Sequence, residues 1–356
     1  MHSLCKGYGG LHRSDERRNM LRDDIIMKLG IVHILDSVVG MPVLSDQPID
    51  MGSNLCDFLK GHIEKFTESD DVKRCQFSEE SEVMELIKGC NAQNFVETSK
   101  RLCEKLYAIM NANIDIPAAD VAIVVFASEG IDYFGFLKLN YKTSYTHATR
   151  PTEEGGNLND IILQKAILPA MGQKLTEAFL VNLSNGEIIL AEKKYDINGE
   201  KKNYFSELFL ECHAPMSQKT KLDIVTRAVE QVNKKYYGDE DAERKMEIKK
   251  AIYEELEEKG SLAVEEVKGK VFKDSPEMQA ELEEKLEKYN MVNEVVEPKS
   301  EATIKKFQKQ RLTTDTGIEI TIPMEEYGDP NKVEFITNED GTISVLIKNI
   351  GRLTTK

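Results

Sequence analysis

DVAIVVFASEGIDYFGFLKLNY, residues 120–141, is the stretch on which the fold turns. Asp120–Ala127 is almost wholly apolar, the pattern of a central strand covered on both faces rather than wet on one. Glu129-Gly130 supplies turn chemistry, and Tyr133–Tyr141 then reads as the strand that pairs back onto the first.

N-terminal to this pair the periodicity is helical. Phe95, Leu102, Leu106 and Ile109 recur on one face and predict a buried helix over Asn94–Met110, with Pro117 marking its exit. Before it, Ser78 is placed to cap a helix carrying Val83, Leu86 and Ile87, with Glu79 and Glu80 in its first turn, where the dipole favours carboxylates. Leu55, Phe58, Leu59, Ile63 and Phe66 share the face of a further helix that begins at Ser53 and ends at Asp70-Asp71. Ile25–Leu35 is β-branched and apolar and resumes as Met41–Leu44 after Gly40, which predicts an opening β-hairpin. Residues 1–19 are polar and aperiodic and are expected to form a disordered extension.

C-terminal to the pair, residues 143–158, with Gly155-Gly156, are expected to be an exposed loop. Asn185-Gly186 between two strand-like runs predicts a hairpin with a type I′ turn. The apolar run Phe205–Leu210 closes a first domain near Pro215. Beyond it the pattern is helical over Lys219–Tyr237, Ala242–Lys259, Leu262–Phe272 and Ser275–Tyr289. It then turns to strand at Ile318–Ile322, Val333–Thr337 and Thr342–Ile347. The expected fold class is α+β. A disordered extension (1–19) precedes an N-terminal domain of mixed sheet and helix (20–214) and a C-terminal domain (215–356) of helices followed by β-hairpins.

The 356 residues carry a net charge of −15, shared as −9 over residues 1–214 and −6 over residues 215–356, so neither half is a basic module. No apolar run is long enough to cross a bilayer, and no charged start leads into an apolar h-region, so a cytoplasmic location is expected. The six cysteines contain no C-x-x-C pair and the histidines no H-x-x-x-H pair; reduced, mostly buried thiols are expected and a bound metal is not.

Against this acidic background, KSEATIKKFQKQR, residues 299–311, stands out with a local net charge of +4. Read as an extended segment, it would project Lys305, Lys309 and Arg311 to one face and Lys306 to the other, with Lys299 at its edge. Clustered cations suffice to hold phosphates and carry no sequence specificity. The helices and strand pair of residues 242–323 also allow a winged helix with Ser275–Tyr289 as recognition helix. That helix carries −3 and would be repelled by the phosphates flanking a major groove, so base readout by it is rejected. Lys193-Lys194 and Lys201-Lys202 are diluted by neighbouring acids and read as an ordinary hairpin end.

No nucleophile elbow, phosphate loop or dinucleotide fingerprint occurs, so neither catalytic residues nor a cofactor are expected. Asp70-Asp71 and Glu153-Glu154 read as solvated loop charges, and His33 and His62 as structural histidines.

Several tracts together resemble the 37-kDa nucleoid-associated protein family of bacteria. They are GIVHILDSVVGMPVLSD (30–46), FSEESE (77–82), NYKTSY (140–145), YFSELFLEC (204–212), LTTDTGIEITIP (312–323) and DGTISVLIKNIG (340–351). The resemblance runs over roughly residues 25–351 and implies a two-domain α+β protein of the bacterial nucleoid that associates with double-stranded DNA. The expectation is therefore a non-enzymatic nucleoid protein, a homodimer by default, that contacts DNA phosphates without sequence preference. Its candidate contacts are Lys299, Lys305, Lys306, Lys309 and Arg311. The alternative is an acidic adaptor recruited to the nucleoid by a DNA-bound protein, since acidic surfaces dock on basic partners.

Overall fold

The computed structural model describes residues 19–37, 40–238 and 241–354; most of the expected disordered extension lies outside them. The chain opens with strand β1 (Ile25–Leu35), helix α1 (Ser53–Thr67), strand β2 (Lys73–Cys75) and helices α2 (Glu82–Lys88) and α3 (Phe95–Ala112). Strands β3 (Ala119–Ser128), β4 (Ile131–Asn140), β5 (Lys142–Pro151), β6 (Asn157–Ile167), β7 (Ala178–Asn182) and β8 (Ile188–Ala191) follow. A small hairpin, β9 (Tyr195–Ile197) and β10 (Glu200–Lys202), leads to a π-helical turn at Phe205–Leu210.

Six of these strands form one sheet in the order β1-β3-β4-β7-β8-β2, and every neighbouring pair is antiparallel. β3 lies inside it and is covered on both sides. Val121 and Ile123 pack with Leu102 and Leu106 of α3 and Val83 and Ile87 of α2. Ala122, Val124 and Phe126 pack with Leu59, Ile63 and Phe66 of α1. Period-two alternation thus sends successive apolar residues into two different cores, which is why the run has no polar side. Gly135 of β4 is required by close approach: a Cβ there would lie 2.9 Å from Val124 and 3.1 Å from Leu180.

Several local expectations are corrected. β1 pairs along its length with β3, and Met41–Leu44 contributes only an isolated bridge, Ile34 to Val43. β1 is the edge strand of the sheet, and its outer side takes only that bridge and the Ile49 amide, which donates to the Gly30 carbonyl at 2.8 Å. The cap of α2 is Ser81, not Ser78: its buried hydroxyl accepts the Met84 amide at 3.2 Å and donates to the Leu210 carbonyl at 2.8 Å. Ile109 is only partly buried, and Met110 takes the core position instead. The Asn185-Gly186 hairpin exists, but Asn182 and Glu187 close a four-residue loop in which Gly186 alone has positive φ. Two-residue turns with both central φ positive occur instead at Glu129-Gly130 (51° and 82°) and Asn198-Gly199 (56° and 85°). Residues 143–158 are only in part a loop: residues 152–156, with Gly155-Gly156, form a turn, and the rest lie in β5 and β6, which pair only with each other as an exposed arm.

The second half contains α4 (Gln218–Tyr237), α5 (Ala242–Lys259), β11 (Leu262–Ala263), α6 (Val264–Val271), α7 (Pro276–Glu287) and β12 (Val295–Val296). After them come α8 (Glu301–Lys305), β13 (Lys309–Thr313), β14 (Glu319–Pro323), β15 (Val333–Thr337) and β16 (Ile343–Ile347). Val225, Val229, Ile252, Val267, Leu282 and Leu286 share one helical core. β11 pairs with β12 around α6 and α7. Met246 of α5, Ile322 and Met324 form a smaller cluster that seats the β13–β14 hairpin. The α+β class stands.

Asp70 and Asp71 are not solvated loop charges. Asp70 is 7% exposed and joins the two halves. Its carboxylate accepts the amides of Lys299 (2.8 Å) and Ser300 (3.0 Å), and its carbonyl accepts the Lys219 amide (3.0 Å). Asp71 pairs with Lys174 and, at 3.1 Å, with Lys219.

Candidate phosphate-binding groove

The basic stretch is a turn of helix followed by a strand, not one extended segment. Ser300 adopts extended φ/ψ as N-cap, and its carbonyl accepts the Thr303 amide at 2.9 Å. That geometry starts α8, and β13 begins only at Lys309. Lys309 and Arg311, two residues apart in β13, share the exposed face that alternation assigns, whereas Lys305 and Lys306 lie in and just after α8 and do not follow it.

Their environments differ. Lys305 pairs with Glu301 one helical turn earlier, at 2.7 Å, and this holds the Glu301 carboxyl below its usual range. Arg311 pairs across the hairpin with Glu319. Lys299 is fixed through its backbone amide to Asp70. Lys306 and Lys309 are exposed, and neither has a carboxylate within ion-pair distance among the described residues. Lys174 is pushed down to about 8, first by burial, then by Lys219, with a smaller push from Lys306 against the pull of Asp70.

Lys306 belongs to a second, larger arrangement. With Phe307 and Gln310 it lines a groove of about 520 Å³ between α4, α5 and the α8–β13 connection. α4 contributes Arg227 and Lys234, and α5 contributes Lys245 and Lys249, against Glu230 as the groove's one acid. Lys249 reaches the Lys309 carbonyl at 2.8 Å and the Gln310 side chain at 2.9 Å, both neutral acceptors. Burial lowers its pKa, partly offset by Glu230. A desolvated ammonium held by neutral acceptors gains most when an anion arrives.

These four helical cations escaped the linear reading because they are separated by acids along the sequence. Their signal is helical spacing: Arg227 and Lys234 are seven residues apart, Lys245 and Lys249 four, so each pair lies on one face. The other candidate clusters supply no chemistry. Lys202 pairs with Glu200 at 3.0 Å, and Lys193 lies over the Tyr195 ring. His33 is fully buried: Ser45 N–H donates to Nδ1 at 3.0 Å, so Nε2 carries the proton and donates to Ser99 at 2.9 Å. His62 is buried with Nδ1 at 2.9 Å from the Gln173 carbonyl. No group of acid, histidine and cysteine side chains among the described residues is arranged to hold a metal ion, and no described helix is long and apolar enough to cross a membrane.

Fold and groove together describe an α+β protein with a groove lined by lysine and arginine side chains. The family described as NA37, nucleoid-associated protein YejK, matches residues 31–353, and the chain belongs to it. Membership gives it a nucleoid-associated role. No curated protein matches the chain.

Proposed function

We propose that this protein is a non-enzymatic nucleoid component that holds double-stranded DNA by its phosphates, without reading sequence. The carrying observation is the groove that Arg227, Lys249 and Lys306 line, with Glu230, in a chain of net charge −15. Lys305, Lys309, Arg311 and Lys299 extend this positive surface along the adjoining helix turn and strand. Phosphate contact needs clustered cations and no base-edge geometry, which is what these elements supply. We read residues 20–214 and 215–356 as two domains, and a symmetric pair of chains would present two grooves to one duplex.

The test is fluorescence anisotropy with duplexes of unrelated sequence across about 50–200 mM salt. Each phosphate contact should add about −0.9 to the slope of log affinity against log salt. Replacing Lys305, Lys306, Lys309 and Arg311 together by Glu should lower affinity for every duplex and flatten the slope. An unchanged slope removes this surface from the account.

The adaptor reading draws on α7, which buries Met278, Leu282 and Leu286 while Glu277, Glu284 and Glu287 face solvent. Such a face suits a basic protein. It becomes the better reading if the purified chain shifts no DNA at low salt yet is retained by a DNA-bound protein.

A further inference from the structure

The groove between α4 and α5 has a floor as well as a cationic rim. Asn233 is 2% exposed, and its side-chain oxygen, Oδ1, has no hydrogen-bond partner. Thr226, seven residues earlier on the same face of α4, likewise leaves its buried hydroxyl oxygen unpaired. Both residues line the cavity. Buried polar atoms are satisfied as a rule, so two orphans facing one cavity ask for a missing partner. Asn233 Oδ1 can only accept, so that partner must bring an N–H or O–H donor.

The walls add a third requirement. Ile248 and Ile252 are buried apolar residues of α5, and Phe307 presents an aromatic ring from the α8–β13 connection. A ligand that satisfies the site carries an anion for the rim, a flat apolar body for the walls and a hydrogen-bond donor for the floor. The volume of about 520 Å³ lies within the usual span of roughly 300–1,000 Å³ for small-molecule pockets.

We propose that this groove is a nucleotide site. The phosphate sits among Arg227, Lys249 and Lys306, the base lies against Ile248, Ile252 and Phe307, and a base N–H donates to Asn233 Oδ1. In an intact duplex the base faces are stacked on their neighbours, so it offers donors only at its groove edges and cannot lay a base against Ile248, Ile252 and Phe307. The shared chemistry is a phosphate beside an unpaired base, from a free mononucleotide or from the end of a single strand. The inference uses the same groove as the DNA reading without depending on it, because the floor is not needed for phosphate contact.

Isothermal titration of the full chain with AMP, GMP, CMP, UMP, inorganic phosphate, a 5′-phosphorylated single strand and a blunt duplex tests it. At least one mononucleotide should bind saturably, one per chain, and more tightly than phosphate. Asn233→Leu should weaken that binding about tenfold, the effect of one lost hydrogen bond, and leave duplex affinity unchanged. Lys249→Glu should weaken both. The floor substitution removes an unpaired polar atom, so Asn233→Leu should also raise the urea midpoint of the ligand-free chain, which verifies that it folds. Binding of the 5′-phosphorylated strand alone assigns the site to strand ends. The proposal is overturned if neither the mononucleotides nor that strand binds saturably, if inorganic phosphate binds equally well, or if folded Asn233→Leu binds as the parent does. Loss of duplex binding with mononucleotide binding intact would sink the DNA reading alone.

Discussion

Asp70 accepts the backbone amide of Lys299 at 2.8 Å, across 229 residues of sequence. The same carboxylate takes the Ser300 amide at 3.0 Å, at the start of α8, where amides have no intrahelical partner. The cationic stretch is therefore hung from the first half of the chain, and its placement depends on a side chain that carries none of its charge.

Asp70→Ala should lower stability by about 2–3 kcal/mol, since two charge-assisted bonds made by a buried carboxylate are lost together. Asp70→Asn, which keeps a single carbonyl acceptor, should fall between the two. Urea unfolding measures this directly. A midpoint for Asp70→Ala equal to that of the parent would show that the clasp contributes nothing.

The cations of the stretch should not be equivalent in DNA binding. Lys305 and Arg311 already have carboxylate partners, Glu301 and Glu319, whereas Lys306 and Lys309 have none among the described residues. Single Lys306→Ala or Lys309→Ala substitutions should each reduce the magnitude of the salt slope by about 0.9. Lys305→Ala and Arg311→Ala should move it less, because each leaves an unpaired acid and surrenders a charge already partly neutralised. Anisotropy at several salt concentrations separates the two pairs, and equal effects at all four positions would refute the distinction.

The sequence exposed the long elements because their patterns are strong. β3 is continuous apolar residues because two cores claim its alternate faces, and α5 has the predicted bounds, Ala242–Lys259. What it hid was anything set by distant partners. Ser81 caps α2 in place of Ser78 because a carbonyl from Leu210 receives its hydroxyl, a fact 129 residues away. Asp70-Asp71 looked like loop acids because their partners lie at positions 174, 219, 299 and 300. At the site, Lys306 was legible as part of a charge run. Arg227, Lys234, Lys245 and Lys249 required the packing of α4 against α5 to become neighbours.

His33 sets a pH dependence. Burial, with a smaller contribution from Lys100, pushes its pKa down from 6.5 to about 4, so the folded chain holds it neutral. Below pH 6.5 the unfolded chain takes up a proton that the folded chain refuses until about pH 4. Stability is therefore whole above that window and is lost as pH falls through it, by up to about 3 kcal/mol. His33→Asn removes the titration and should flatten this part of the profile while lowering stability at pH 7.5. Chemical denaturation of both proteins at pH 7.5 and pH 5 gives the comparison; parallel losses would exclude His33 as the source.

Lys138 and Glu177 form a buried pair whose coupling can be measured. Both side chains are wholly inaccessible, with Nζ at 2.8 Å from Oε2, and Asn140 links to both. Tyr195 donates to the same carboxylate oxygen at 3.1 Å, and Tyr204 donates to the other. Burial pulls the Lys138 pKa down while Glu177 opposes it, and burial beside Glu177 drives the Tyr204 hydroxyl far above its ordinary range. Neither charge is tolerable without the other. Lys138→Met should cost about 3–5 kcal/mol, because the remaining carboxylate keeps its donors but loses its counter-charge. Glu177→Gln should be costly for the mirror reason, and it also replaces an acceptor of Tyr204 with an amide. The double variant removes both charges and should be less damaged than the sum of the single ones, with a coupling energy of about 1–3 kcal/mol. Additivity within about 0.5 kcal/mol would mean that the tyrosines and Asn140, not the ion pair, hold the network together.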